Sequence, residues 1–511
     1  MPAVRVIVLQ DTYRDSVYLM KLSSQAKAEC GALQVSAMMG TARNKELFAS
    51  SGLSTPEVVA AKPDDLVIAV EIEPERAEQA LETVRRLLDE APAKSAGVAE
   101  AARPATLEEA LKEDKTLNMA LISVAGDYAR YEAARALSAG MDVMLYSDNI
   151  SLEDEIALKR LARAKNALVM GPDCGTAIID GVPLAFANVV RRGPVGVVGA
   201  SGTGVQEVVC LLDRFGVGIS QAYGTGGRDL KDAVGGMTAL AALDRLKADP
   251  ATKVVVVLGK TPGEATRGAL AERFRAMGKP VFVSYLGTSE YAPELAAGAV
   301  AADTLTALAG SVAQFVQPGL DTESVLAAGE PVLPSRPGLL RGLFGGGTLC
   351  QEAAEIAAPL LEGDKYSNLR LDGFGHLSGR EASRGHCFWD FGDDEFTVGR
   401  PHPMMAPELK MEHLVHELCD PAVSVVLMDM VLGYGSSDRQ SALLTEALAE
   451  ARARSGGRSE EVLIVASVCG TDGDKPGRAA EVQVLREAGI FVFGSNARAA
   501  AHAARASRGG R

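Results

Sequence analysis

Apolar positions along this chain gather into short runs that close on glycine or a polar residue, and most runs are followed by a stretch with helical spacing. VRVIVLQ, beginning at Val4, and DDLVIAVEIE with the charged amphipathic PERAEQALETVRRLLDEA behind it predict a small α/β domain over residues 1–95. MALISVAG, MDVMLYSD and ALVMGPDCGT, separated by DYARYEAARALSAG and SLEDEIALKRLARAK, read as strand, helix, strand, helix, strand, a parallel sheet over 106–192. Asp148, Asn149 and Ser151 supply the N-cap chemistry of the last of those helices. Between the two domains APAKSAGVAEAARPA has linker composition.

The alternation resumes at Val195 with VGVVG, TGVQEVVCLLDRFG, GISQAYGTGG, TKVVVVLG and KPVFVSYLG, predicting a further parallel sheet over 193–318. GLDTESVLAAGEPVLPSRPG, which lacks a strong period, reads as a second linker. Then the chain starts again. PVGVVGASGTGVQEVVCLLDRFG (194–216) lies over PGLLRGLFGGGTLCQEAAEIAAP (337–359): strand, glycine turn with Gly-Thr, helix with Gln-Glu in its first turns. TKVVVVLGK matches VSVVLMDMVLG and KPVFVSYLG matches EEVLIVASVCG, so 337–505 is read as a duplicate of 193–318 with an insertion between Lys365 and Met411.

Composition narrows the function classes. A length of 511 residues exceeds one domain of about 150 several times over. With 52 basic against 66 acidic residues the net charge is −14, which disfavours a phosphate-backbone footprint, so no nucleic-acid partner is expected. No apolar run approaches the roughly 18 residues of a membrane span, and MPAVRVIVLQDTYRD breaks into polar residues before a signal core forms; no membrane partner and a cytoplasmic protein are expected. Seven cysteines without a CxxC read as reduced thiols, and all 6 histidines lie at or beyond His376.

A strand that runs into a glycine turn opening a helix puts unpaired N–H groups and the positive end of a helix dipole at one spot, which attracts an anion. Ser201, Gly202 and Thr203 form one such pole and Gly346, Gly347 and Thr348 the other; packed about a pseudo-twofold axis, they would hold one phosphoryl-sized group between them. The plainer alternative is that glycine only lets each helix pack close to its sheet. Neither GASGTG nor FGGGTL ends in the Gly-Lys-Ser/Thr of a P-loop ATPase.

The order ALVMGPDCGT, GVVGASGTGVQE, YGTGGRDL, VVVVLGK resembles the alpha subunit of succinyl-CoA synthetase, and the restart at 337 resembles the ligase domain of its beta subunit. LISVAGDYA, SDNISLEDEI, VMGPDCGT, PLAFANV, GGRDL, GGGTL and FTVGRPHPM make nearly the whole chain similar to the FdrA proteins, a branch of that superfamily. The resemblance implies a small amino-terminal domain, a Rossmann-like CoA-binding-type domain and two tandem flavodoxin-like ligase domains. It also places a phosphate at the paired glycine turns. Three departures change the chemistry: YAPELAAGAVAADTL has no histidine where the synthetases carry a phosphorylated one, Lys260 stands where they carry a glutamate facing it, and no ATP-grasp domain precedes residue 338. Coenzyme A is a lesser expectation, because VRVIVLQDTYRDSVYLM lacks a glycine-rich turn and offers only Arg14, Arg43 and Lys45 nearby.

The resemblance therefore implies phosphate as a substrate without a phosphohistidine. It points to a subunit of a carbamoyl or acyl transferase of oxamate carbamoyltransferase type, turning oxalurate and phosphate into oxamate and carbamoyl phosphate in purine ureide breakdown. A small acyl or carbamoyl substrate, partner subunits of a larger complex and a homo-oligomer are the expected partners. An acyl-CoA synthetase working with a separate nucleotide-binding subunit, and a non-catalytic scaffold or ligand sensor, remain open. The inserted cluster HLSGREASRGHCFWDFGDDEFTVGRPHPMMAP supplies further candidates. Arg400 and His402, on a loop stiffened by Pro401 and Pro403, suit gripping a carboxylate or stabilising an oxyanion, with Lys260 the third catalytic candidate; a loop-stabilising contact is the plainer reading. Asp393, Asp394 and Glu395 read as a solvated turn rather than a cation site, and no metal is expected.

Overall fold

A computed structural model describes residues 2–12, 14, 16–89, 104–379, 381–397 and 400–508. The chain divides into two compact units: residues 1–117 with 123–125 and 396–401, and residues 118–122, 126–395 and 402–511. Most of the linker expected at 91–105 lies outside the described residues.

In the first unit, β1 (Ala3–Leu9), β2 (Gln34–Met39) and β3 (Leu66–Ile72) form an antiparallel sheet in the order β1-β3-β2. The central strand LVIAVEI is the most apolar because both its faces are covered. Helices Ser16–Cys30 and Ala77–Asp89 pack Leu19, Leu22, Ala80 and Val84 against one face. Phe48, Leu53 and Val58 cover the other.

The second unit holds three sheets. β4 (Met119–Ile122), β5 (Asp142–Leu145) and β6 (Val169–Met170) are parallel and carry the Rossmann-like pattern. A hairpin, β7 (Thr176–Ile179) and β8 (Val182–Ala185), then joins the next sheet, which thus takes strands from before the boundary expected at 192. That sheet contains β9 (Arg192–Gly199), β10 (Ile219–Gly224), β11 (Val254–Lys260), β12 (Val281–Leu286) and β13 (Val300–Ala301) in the order β13-β12-β11-β9-β10-β7-β8. The third sheet comprises β14 (Leu339–Phe344), β15 (Lys365–Ser367), β16 (Gly375–His376), β17 (His386–Asp390), β18 (Val423–Val431), β19 (Leu463–Cys469) and β20 (Phe491–Phe493), ordered β16-β15-β17-β14-β18-β19-β20.

Each seven-stranded sheet centres on the strand before a glycine turn. β10-β9-β11-β12-β13 and β17-β14-β18-β19-β20 both follow the flavodoxin-like order 2-1-3-4-5. One expectation changes here: the segment 365–411 is not wholly an insertion, because β17 within it occupies the place of β10. HCFWD was hidden as a strand because all five residues are buried, charged and apolar alike, so no alternation marks it. Its His386 is a core residue, with Nδ1 accepting from Leu340 N–H at 3.0 Å and Nε2 2.9 Å from Glu362 O. Trp389 is buried with its indole N–H donating to Ser383. The second linker also contains a short helix, Thr322–Ala327, capped by Asp321.

Helices Gly202–Arg214, Leu305–Val316, Gly347–Ala357 and Asn496–Arg508 pack together between the duplicated sheets. Val208, Leu212, Leu308, Val312, Leu349, Ala353, Ala499 and Ala503 belong to one buried cluster fed by both halves. Polar contacts across this junction are reciprocal. Glu207 of the first half accepts from Asn496 N–H at 3.1 Å, opening the last helix of the second half. Glu352 of the second half accepts from Leu305 N–H at 2.7 Å, opening the last helix of the first, and from Asn496 Nδ2 at 2.8 Å. Each helix start is thereby satisfied by the opposite lobe.

Candidate functional site

The two glycine turns meet. Ser201 is the N-cap of helix Gly202–Arg214, its Oγ accepting from Gly204 N–H at 3.0 Å, and the same hydroxyl is hydrogen-bonded to Thr348 in the first turn of the other helix. Thr203 lies against Gly346, where a Cβ would stand 2.8 Å from Thr203 Cγ2. The six residues expected to form the cradle, Ser201, Gly202, Thr203, Gly346, Gly347 and Thr348, are thus in one place. Among the described residues no carbonyl or carboxylate accepts from the N–H groups of Gly202, Thr203, Gly347 or Thr348. Two helix dipoles of like sign converge here with unfilled donors, a backbone geometry that favours an anion.

Part of the second pole is already occupied, by groups the sequence did not reveal. Asp429 on β18 accepts from Gly345 N–H at 2.8 Å and Gly346 N–H at 2.9 Å. Lys410, from helix Glu408–Cys419, places Nζ 2.8 Å from Asp429 O and 3.1 Å from Oδ1, and both side chains are buried. Asp390, at the end of β17, turns one oxygen to Gly392 N–H at 2.9 Å and the other against Gly347, where it fills the space of a side chain. Burial raises the Asp390 pKa to about 7, with Asp393 and Asp429 adding to the shift and Lys260 opposing it. Lys260 is therefore near the second pole, although its side chain is exposed. Only the spacing of Asp390 and Asp429 at strand ends signalled them, and that spacing is read only once the strands are placed.

His402 and Arg400 part company. His402 belongs to the second unit, beside Phe186 with ring centroids 5.7 Å apart, and its Nδ1 accepts from Met404 N–H at 3.2 Å. Burial lowers its pKa to about 4, so at neutral pH it is uncharged with its proton on Nε2, and it does not grip a carboxylate as a cation. Arg400 is exposed and belongs to the segment Phe396–Pro401 that groups with the first unit.

Other candidates resolve into structure. Asp394 and Glu395 are exposed on a short helix. Burial pushes the Cys174 and Cys387 thiols up to about 12, so neither is a thiolate at neutral pH. Lys45 donates to Val59 O at 2.9 Å, Arg14 lies over the Tyr18 ring, and the Arg43 side chain is outside the described residues. No helix among the described residues is long and apolar enough to cross a membrane, and none of their His, Cys, Asp and Glu side chains gather in threes able to hold a metal ion.

Three family models match the chain: an AllF heavy metal-associated domain over residues 1–104, a CoA-binding domain over 190–284 and a CoA-ligase over 343–506. The first description implies a metal that the side chains of this segment do not fit. Its lone cysteine, Cys30, is buried with its thiol 3.6 Å from Ala80 O, and it has no histidine. YahF of Escherichia coli K12 is 40% identical over 501 residues, spanning 97% of this chain and 96% of the relative. The alpha subunit of the ADP-forming succinate–CoA ligase of Aquifex aeolicus is 31% identical over 188 residues, 36% of this chain and 60% of that subunit, so the match spans less than two thirds of it. Among solved structures, the ATP citrate lyase of Methanothrix soehngenii in complex with citrate and coenzyme A overlaps 75% of this chain and 67% of its own with a TM-score of 0.37 and 16% identity. With two sheets of the same strand order, matched by CoA-binding and CoA-ligase models, and a relative matched from end to end, the chain belongs to the FdrA family of the succinyl-CoA-synthetase-like superfamily.

Proposed function

We propose that this chain is a subunit of a phosphate-dependent carbamoyl or acyl transferase, of oxamate carbamoyltransferase type, that holds phosphate at the meeting point of its two glycine turns. The observation that carries the reading is the Ser201–Thr348 contact, with the free N–H groups of Gly202, Thr203, Gly347 and Thr348 around it. Phosphate bound there has its charge balanced by two helix dipoles and hydroxyl donors, and its free oxygen stands ready to attack a carbonyl carbon held alongside. Transfer without a covalent intermediate is supported by His402: the tautomer that accepts from Met404 N–H leaves Nε2 protonated, a donor and not a nucleophile. Lys260, whose charge reaches Asp390 and whose side chain is exposed, would draw an anionic substrate towards the second pole. That the succinate–CoA ligase relative is a subunit by name supports a need for partner proteins.

A second reading, an acyl-CoA ligase served by a separate nucleotide-binding subunit, is favoured by the CoA-binding and CoA-ligase matches. One assay separates the two. Carbamoyl phosphate formation from oxalurate and phosphate is measured with the full chain alone and with proteins encoded beside it, against CoA- and nucleotide-dependent acyl-CoA formation in the same mixtures. The first reading expects phosphate-dependent turnover that falls at least about tenfold in Thr203→Val and Thr348→Val, each of which removes a hydroxyl donor. Unchanged rates in both variants remove the cradle from the reaction, and CoA-dependent turnover selects the second reading.

A further inference from the structure

The two lobes match in backbone and differ in charge at one level. Gly199 ends β9 three residues before Gly202, and Phe344 ends β14 three residues before Gly347, so the two positions correspond. Gly199 is flanked by Gly224 on β10 and Leu258 on β11. The same level of the second lobe carries Asp390, paired with Phe344, and Asp429, which follows the Leu343 partner Met428. One lobe is bland where the other has two buried carboxyls.

These carboxyls are not equivalent. Asp429 is fully engaged, taking two backbone N–H groups and the Lys410 ammonium. Asp390 has no cation bonded to it among the described residues. Asn368 clamps its backbone on both sides, with Asn368 Nδ2 3.0 Å from Asp390 O and Asp390 N–H 2.8 Å from Asn368 Oδ1. Its Oδ2 rests against Gly347, the first residue of the helix whose leading N–H groups are unfilled, and that residue's lack of a side chain is what makes room for it. The other charged or titratable groups facing it are Asp393 on its own loop, Asp429 with Lys410 behind it, Cys350 on the helix, Lys260 from β11, and His402, whose Nε2 shares the surroundings of Gly392 with Asp390 Oδ1.

We propose that Asp390 is the proton carrier of this site, handing a proton to the nitrogen expelled when phosphate attacks a carbamoyl carbon and recovering one from the attacking hydrogen phosphate. The inference rests on the phosphate-dependent transfer reading and narrows its substrate to one whose leaving atom is an amide nitrogen. A phosphate oxygen forms a bond to the carbonyl carbon, the carbon–nitrogen bond breaks with its electron pair passing to nitrogen, and the phosphate proton ends on that nitrogen by way of Asp390, which returns to its starting state. An amide nitrogen does not depart as an anion near neutral pH, whereas a thiolate, with a thiol pKa of about 8.5, departs without a proton. A buried carboxyl that keeps its proton to about pH 7 supplies what the nitrogen leaving atom requires and the thiolate does not.

The test uses the full chain with whatever partner proteins its turnover requires, in wild-type, Asp390→Asn and Asp390→Glu forms. Carbamoyl phosphate formation is followed from pH 5.5 to 9, inorganic phosphate binding by calorimetry, and folding by thermal unfolding. Asp390→Asn is expected to lower kcat by roughly 10²-fold or more, to retain phosphate affinity within about threefold and to lose the alkaline fall of the wild-type profile, with Asp390→Glu restoring part of both rate and profile. A kcat for Asp390→Asn within about threefold of wild type, or a reduced kcat whose pH profile keeps the wild-type shape, overturns the assignment. Failure of the wild-type chain to bind phosphate, or to turn over in any mixture, overturns the underlying reading instead.

Discussion

Gly347 opens the second helix with no side chain because the space is taken: a Cβ there overlaps Asp390 Oδ2. Gly347→Ala should therefore push the Asp390 carboxyl or the turn aside, destabilising the protein by about 1–3 kcal/mol and weakening phosphate binding, measured by thermal unfolding and calorimetry on the same preparations. Glu352 makes a second residue-scale prediction. Burial, with Glu207 nearby, raises its pKa to about 7, while Asn496 and Leu305 N–H act the other way. Because its folded-state pKa lies above the unfolded value, the unfolded chain ionises first as pH rises. The stability tied to its proton is complete below about pH 4.5 and lost by about pH 7. Wild type should thus lose Tm relative to Glu352→Gln as pH is raised from 5 to 8, by differential scanning calorimetry; a constant gap between the two would show that Glu352 is ionised throughout.

At the scale of elements, strand β18 and helix Glu408–Cys419 are joined beneath the glycine turn by a buried ion pair, Lys410–Asp429. Desolvation offsets much of the attraction in such a pair, but removing one member leaves a buried charge alone. Lys410→Met should cost about 3–5 kcal/mol in urea unfolding. The first lobe shows the uncharged solution, with Leu258 at the level of Asp429 and Ala200 N–H bonded to Leu258 O at 3.0 Å. The double variant Lys410→Met with Asp429→Leu should accordingly recover a large part of that loss, and a cycle with no coupling would show that the pair does not interact.

Across the whole molecule, the first unit has its own two apolar clusters on either side of β3, whereas the duplicated sheets share one cluster and exchange helix caps through Glu207 and Glu352. Scanning calorimetry of the full chain should show the first unit melting as a separate transition and the duplicated sheets melting together. Glu207→Ala, which leaves Asn496 N–H without its carboxylate, should lower the transition of both sheets by a similar amount, on the order of 1–2 kcal/mol, and not that of the half in which the substitution sits.

Local chemistry sufficed for much of this protein. The glycine turns, the strands leading into them and the duplication were legible because each rests on short-range rules: apolar runs of strand length, glycine where a backbone turns sharply, helical spacing behind it. The six residues of the two turns, which the structure brings together, were picked out by the same rules. Side-chain proximity across the fold was not. Asp390, Lys410 and Asp429 converge from three separate elements, which no spacing in the sequence announces. Strand β17 escaped notice because tertiary burial on both faces erased the alternation that marks a strand. The sequence by itself determined where the backbone donors lie, because turn geometry is written in adjacent residues. Only the tertiary structure decided that the Asp390 and Glu352 carboxyls titrate high and that His402 is neutral, because those states depend on desolvation and on charges brought near by the fold.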